Sequence, residues 1–265
     1  MEIPKIRIFT FSIIPSMNSA RKERLKTSRI IGTTFGALPV FGKPPDFVDG
    51  GFRHDAAWNC YGPYLTLQLT HAYLLIGDVK KMDALLGWCV NAGFAKVSRE
   101  GAPDDRWQVV LGVWNEQHCY PIAKDFAEVP NRWWYMGDIP HGWACAEFNL
   151  LLRDILFFEA DEDGLPHIYL APGVMPHWLG DGESVEVRNA PTIFGTVFGY
   201  RLTHLQGTKT LQIELTQPPP PNVSFIFPSR TGAPQAAMAN GVSIPLSGEN
   251  VAIPAGTTQA SVWYA

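Results

Sequence analysis

The sequence predicts an α + β, multidomain chain in which a helical region is followed by an antiparallel β-sandwich. Two observations carry this. Between Pro63 and Phe158 apolar residues recur at helical spacing. From Leu165 onward, short alternating runs are separated by Gly, Pro, Asn and Ser. The expected domains are a poorly patterned segment 1–49, a helical domain 50–164 and a β-sandwich 165–265.

The stretch Pro63 to Ile76 puts Leu65, Leu69, Ala72, Tyr73 and Ile76 on one helical face. Gly77 stands where a left-handed cap is wanted and Asp78 where the next N-cap belongs. Val79, Met82, Leu86, Cys89, Val90 and Gly93 form the face of a second helix, so a tight αα-hairpin is expected. A third helix, Gly142 to Phe158, has the stripe Ala144, Phe148, Leu151, Leu152, Ile155 and Phe158. Leu150, Leu156 and Phe157 occupy its other sides, which predicts burial between layers. The acidic run Glu159 to Asp163 and then Gly164 should end it.

Beyond it, His167–Leu170, Val185–Arg188, Thr192–Leu205, Thr210–Thr216, Val223–Phe227, Val242–Pro245 and Ser261–Tyr264 read as strands. Leu211, Ile213 and Leu215 alternate as a half-buried strand requires, and Asn240-Gly241 signals a tight turn. The Pro218–Pro221 run reads as a stiff connector.

Composition narrows the function classes. The chain is 46% hydrophobic and 17% charged, enough for a packed core. A net charge of −4 gives no reason to expect a nucleic-acid partner. No apolar run approaches the roughly 18 residues of a membrane span. Lys5 and Arg7 before Ile8 to Met17 have the outline of a leader, but Pro15 interrupts the run and no small-residue cleavage site follows, so it is not read as one. Cys60, Cys89, Cys119 and Cys145 lack zinc-type spacing and are expected to be free thiols. Unpaired cysteines lean towards the cytoplasm, whereas a polysaccharide substrate would suggest export.

The densest chemistry lies between Arg106 and Glu147. Five of the nine Trp (Trp107, Trp114, Trp133, Trp134 and Trp143) stand there among Glu116, His118, Asp125, Asp138, His141 and Glu147. Carboxylates among aromatics suit glycoside cleavage, which needs one protonated and one ionised carboxyl group. Aromatic walls exclude water and favour a protonated carboxyl. The competing reading is a large aromatic core with surface acids around it.

Each residue has its own alternative. Glu116, after Trp114, reads as a general base or as an exposed loop acid. Asp138 precedes Pro140 and the third helix, so it is also a turn or cap residue. His118 and His141 lack a third ligand at useful spacing, so no metal site and no cofactor are expected. They would donate hydrogen bonds or cap helices. Glu147, one turn into a buried helix, needs a partner, with Arg153 or Lys124 available. Asp55 is a weak catalytic candidate near Trp58, and a structural role suits it as well.

At these residues the chain resembles a known family. The stretches "VWNEQHCYPIAKDF", "GDIPHGWACAEFNLLLRDIL", "YLAPGVMPHWL" with "VEVRNAPTIFGTVFGYRL", and "MANGVSIPL" with "VAIPAG" resemble the end of six-hairpin glycoside hydrolases of the α-L-rhamnosidase-like kind. The likeness covers roughly residues 50–265. It implies the carboxyl-terminal part of an (α/α)6 toroid followed by a β-sandwich, with Glu116 as general base. It further implies that Trp114, His118, Trp133, Trp134, Asp138, His141 and Trp143 contact an oligo- or polysaccharide, and that the mechanism inverts. A full toroid has about twelve helices and its general acid lies far upstream of the base, so the resemblance implies a truncated form lacking that acid, prone to self-association. The two rival expectations are a non-catalytic carbohydrate-binding protein and an inactive structural remnant.

Overall fold

The computed structural model describes residues 47–48, 51–55, 60–91, 96–98, 107–110, 112–119, 134–136, 138–162, 164–220, 222–228, 232–248 and 250–265. They form an α + β structure with three α-helices among the described residues. Two compact units divide between Leu152 and Arg153, inside the third helix.

In the first unit the elements are β1 (Phe47–Val48), β2 (Gly51–Asp55), β3 (Cys60–Tyr61), α1 (Pro63–Leu75), α2 (Val79–Asn91), β4 (Lys96–Ser98), β5 (Trp107–Val110), β6 (Gln117–Cys119), β7 (Trp134–Met136) and the start of α3 (Gly142–Leu156). β4 pairs with β5, and the other strands form a sheet in the order β1-β2-β3-β6-β7.

α1 starts with Gly62 as N-cap and Pro63 in its first turn, where the missing N–H is not needed. Its end is built as the sequence suggests. Gly77 has φ 81, its N–H donates to Leu74 O, and the Asp78 N–H donates to Tyr73 O. This double bond pattern closes a Schellman cap, and Asp78 Oδ1 then accepts from the Lys81 N–H at 3.3 Å to begin α2.

The buried side of α1 is not the predicted stripe. Thr66, Leu67, Thr70, His71 and Leu74 are buried, while Leu65, Leu69, Ala72 and Tyr73 are half-buried and Ile76 is exposed. The polar members tolerate burial because each is satisfied. Thr66 and Thr70 donate their hydroxyls to the carbonyls of Gly62 and Thr66 at 2.9 and 2.7 Å. His71 faces Glu147 of α3 at 2.8 Å. Glu147 therefore pairs with His71 rather than with Arg153, whose guanidinium turns to the following strand; Lys124 lies outside the described residues. α2 buries Met82, Leu85, Trp88 and Cys89, and the Trp88 ring lies where any side chain at Gly51 would stand.

α3 is less buried than its composition suggests. Ala144, Glu147 and Leu151 face inward, but Trp143, Ala146 and Asn149 are exposed. It also stops at Leu156, and Phe157 opens a strand instead of completing the stripe.

The second unit contains β8 (Phe157–Glu162), β9 (Leu165–Leu170), β10 (Ser184–Pro191), β11 (Val197–Leu205), β12 (Thr210–Leu215), β13 (Ser224–Pro228), β14 (Pro234–Ala239), β15 (Val242–Ser243), β16 (Asn250–Ile253) and β17 (Gln259–Tyr264). Two sheets form, β10-β11-β12-β17-β14-β15 and β16-β13-β9-β8. Pairing is antiparallel except for β9 with β13, which run parallel. That exception follows from the path: β10, β11 and β12 build the other sheet, and the chain returns to β9 from the same direction. Phe198 of the first sheet meets Phe157 and Phe225 of the second at ring distances of 4.9 and 5.6 Å. The Tyr200 hydroxyl, fully buried, donates to Leu156 O at 2.6 Å.

Arg153 grips the start of β8. Its guanidinium donates to both oxygens of Glu159, at 2.9 and 2.7 Å, and to Asp154 at 3.2 Å. Glu159, 0% exposed, also accepts the Ile193 N–H at 3.1 Å. Burial opposes the charge on Arg153, but the Glu159 pair outweighs it and holds the guanidinium protonated. The expected strand Thr192–Leu205 is broken at its start. Residues 192–196 form a turn closed by the Thr192 N–H to Thr196 O at 2.8 Å, with Gly195 at φ 75.

Candidate functional site

The site is assembled from three short pieces of the first unit: the first turn of α1, the turn before β6, and the turn leading into α3. Trp114 anchors the middle piece. It is 4% exposed, its indole N–H donates to Cys89 O at 3.0 Å, and its ring packs 4.7 Å from Phe148. Asn115 is buried beside it and donates from Nδ2 to Gln117 O. Glu116, between two buried neighbours, is left half-buried at the surface of the turn.

The third piece is tied directly to the second. The His141 N–H donates to Trp114 O at 2.7 Å. The His141 side chain, 13% exposed, places Nδ1 2.8 Å from Asp138 Oδ1. Asp138 is itself 67% exposed. The hydrogen bond from His141 holds its carboxyl below the usual range, helped by the backbone N–H groups of Asp138 and Gly142. The cap role read for Asp138 and a site role therefore coexist. With Nδ1 engaged, the other ring nitrogen of His141, Nε2, is buried and has no hydrogen-bond partner.

Glu116, Asp138 and His141 converge so that one donor atom from each lies within 4.8 Å of the others. Two carboxylate oxygens and an imidazole nitrogen can receive sugar hydroxyls, and the same donor types suit a divalent cation. The third partner that sequence spacing did not supply for His141 thus comes from the fold.

Aromatic rings border this group. Trp143, in the first turn of α3, is 56% exposed. Tyr64, in the first turn of α1, lies 5.1 Å from the Trp143 ring and 5.3 Å from the His141 ring. Burial, and then the charge of Glu116, pushes the Tyr64 hydroxyl up from its ordinary value. Sequence reasoning missed Tyr64. The only local signal was an aromatic in the first helical turn directly after Gly62-Pro63.

The structure therefore brings together Glu116, Asp138, His141 and Trp143, and puts Trp114 in the core beneath them. The side chains of Asp55, His118 and Trp134, and the whole of Trp133, lie outside the described residues. Of the cysteines, Cys89 is a buried free thiol and Cys145 a half-buried one.

No protein-family model and no curated protein matches the chain. Among solved structures it is similar to a GH127 β-arabinofuranosidase, with a TM-score of 0.42 and 10% identity, over 94% of this chain and 42% of that one. The chain thus spans less than half the length of that structure.

Proposed function

We propose that this chain is a carbohydrate-active protein, a glycoside hydrolase acting on O-glycosyl bonds, with Glu116 as the general base that activates water. The observation that supports it is the convergence of Glu116, Asp138 and His141 within 4.8 Å beside the exposed ring of Trp143. In this reading the helical unit is part of an (α/α) toroid, and the two sheets beyond it are a trailing β-sandwich. An inverting pair needs carboxyl groups about 6.5–9.5 Å apart. Asp138 stands closer than that to Glu116, so its role is to orient His141 and to bind sugar hydroxyls. The general acid is then supplied from outside the described residues. Trp143 gives the sugar ring an apolar partner, and His118, Trp133 and Trp134 extend the subsite.

The same short spacing favours a second reading, carbohydrate binding without cleavage. The two separate on a panel of aryl glycosides, α-L-rhamnoside included, tested for hydrolysis and for binding. Hydrolysis abolished by Glu116→Gln supports the hydrolase. Binding that survives Glu116→Gln, with no hydrolysis by either protein, supports the binding module. Neither activity refutes both.

A further inference from the structure

Tyr64 belongs to no motif of the sequence, yet its ring touches both His141 and Trp143. Its ring meets His141 at 5.3 Å with the planes tilted by 58°, and Trp143 at 5.1 Å with a tilt of 38°. It comes from a different helix than either, so its place depends on α1, whose first turn is fixed independently. The Thr66 hydroxyl donates to Gly62 O at 2.9 Å and accepts the Phe52 N–H at 3.0 Å. Tyr64 is half-buried, whereas Trp143 keeps 56% of its surface open.

The polar side of the same corner is unfinished. His141 Nε2 is buried without a hydrogen-bond partner, which is costly unless a ligand supplies one. Nδ1 is engaged by Asp138, so Nε2 is the ring nitrogen left to meet a sugar hydroxyl. Glu116 and Asp138 add carboxylate acceptors, one oxygen of each lying within 4.8 Å of a ring nitrogen of His141. An exposed aromatic face, an imidazole nitrogen and two acids together fit a neutral sugar ring. Its C–H face would lie on Trp143, and its hydroxyls would point to His141 and the carboxylates. An acidic sugar would be repelled by the same two acids.

We propose that Tyr64 is a positioning residue that determines specificity in this subsite. It sets the tilt of Trp143 and His141 so that one neutral sugar ring fits between the aromatic face and Nε2. The proposal rests on the carbohydrate reading and deepens it.

The test is saturation-transfer NMR on the full chain. The probes are methyl glycosides of a 6-deoxyhexose (methyl α-L-rhamnoside), a hexose, a pentose and a hexuronic acid. The wild type should bind at least one neutral glycoside, with saturation reaching the protons of one ring face, and should bind the uronide at least tenfold more weakly. Tyr64→Phe keeps the ring and should stay within about twofold of the wild type. Tyr64→Leu keeps the bulk without the ring, and should weaken binding about tenfold with an unchanged melting temperature. Trp143→Ala, at an exposed site that folding tolerates, should abolish the ring-face saturation.

Tyr64→Leu or Trp143→Ala binding like the wild type overturns the inference and leaves the carbohydrate reading standing. So does a uronide bound as tightly as its neutral counterpart. A wild type that binds none of the glycosides overturns the carbohydrate reading itself, and this proposal with it.

Discussion

His71 Nδ1 and Glu147 Oε1 lie 2.8 Å apart between α1 and α3, with each side chain only 6% exposed. Removing one member of a buried pair costs about 3–5 kcal/mol, because the other charge or dipole stays behind in a low-dielectric interior. Glu147→Ala should destabilise the chain by about that amount in urea unfolding. His71→Phe combined with Glu147→Leu should cost less than Glu147→Ala alone, since neither member of the pair is then left buried without the other.

Arg153 makes the equivalent prediction for the second unit. Its two bonds to Glu159, at 2.9 and 2.7 Å, need a planar fork. Arg153→Lys keeps the charge but loses the bidentate geometry. It should lower the melting temperature measurably, and Arg153→Ala should lower it further.

Asp138 predicts a pH effect with a defined sign. The hydrogen bond from His141 lowers its carboxyl pKa in the folded protein. Its contribution to stability is therefore complete above the unfolded value of about 3.9, and is lost as pH falls through the lower folded value. NMR titration of the Asp138 carboxyl should place its midpoint below the ordinary range, and His141→Ala should move that midpoint up.

Cys89 should be inert. Burial pushes its thiol well above the ordinary value, only partly offset by a hydrogen bond with Thr70. A thiol reagent at pH 8 should label half-buried Cys145 much faster, and Cys89 should react only after unfolding.

Much of the secondary structure was legible because turn chemistry is local. Gly77-Asp78 forms the expected joint, and Asn240-Gly241 has φ values of 48 and 79, as a tight hairpin turn requires. Asn240 also has a role that no pattern announces: its Oδ1 accepts from the Thr258 N–H and hydroxyl and from the Gln259 N–H. The buried face of α1 is not legible from hydrophobic spacing, which cannot see that Thr66, Thr70 and His71 find partners. The seven short strands of the first unit have no alternation to mark them within a region read as helical, and three strands of the second unit escaped for packing reasons. Pro234–Ala239 is Ala-rich, Asn250–Ile253 is short, and Phe157–Glu162 continues an apolar helix without a break. In the site, Glu116, Asp138, His141 and Trp143 are legible by residue type, but their meeting depends on the His141 N–H to Trp114 O bond between residues far apart in sequence. Tyr64 could only be found in three dimensions.

The proposed role of Glu116 in a glycoside-cleaving site is tested most directly by aryl glycoside hydrolysis with the wild type and Glu116→Gln side by side. A general base contributes about 10²–10⁴-fold. Aryl alcohol release by the wild type should fall a hundredfold or more in the variant. Equal rates from the two proteins, or no release from either across the panel, would contradict it.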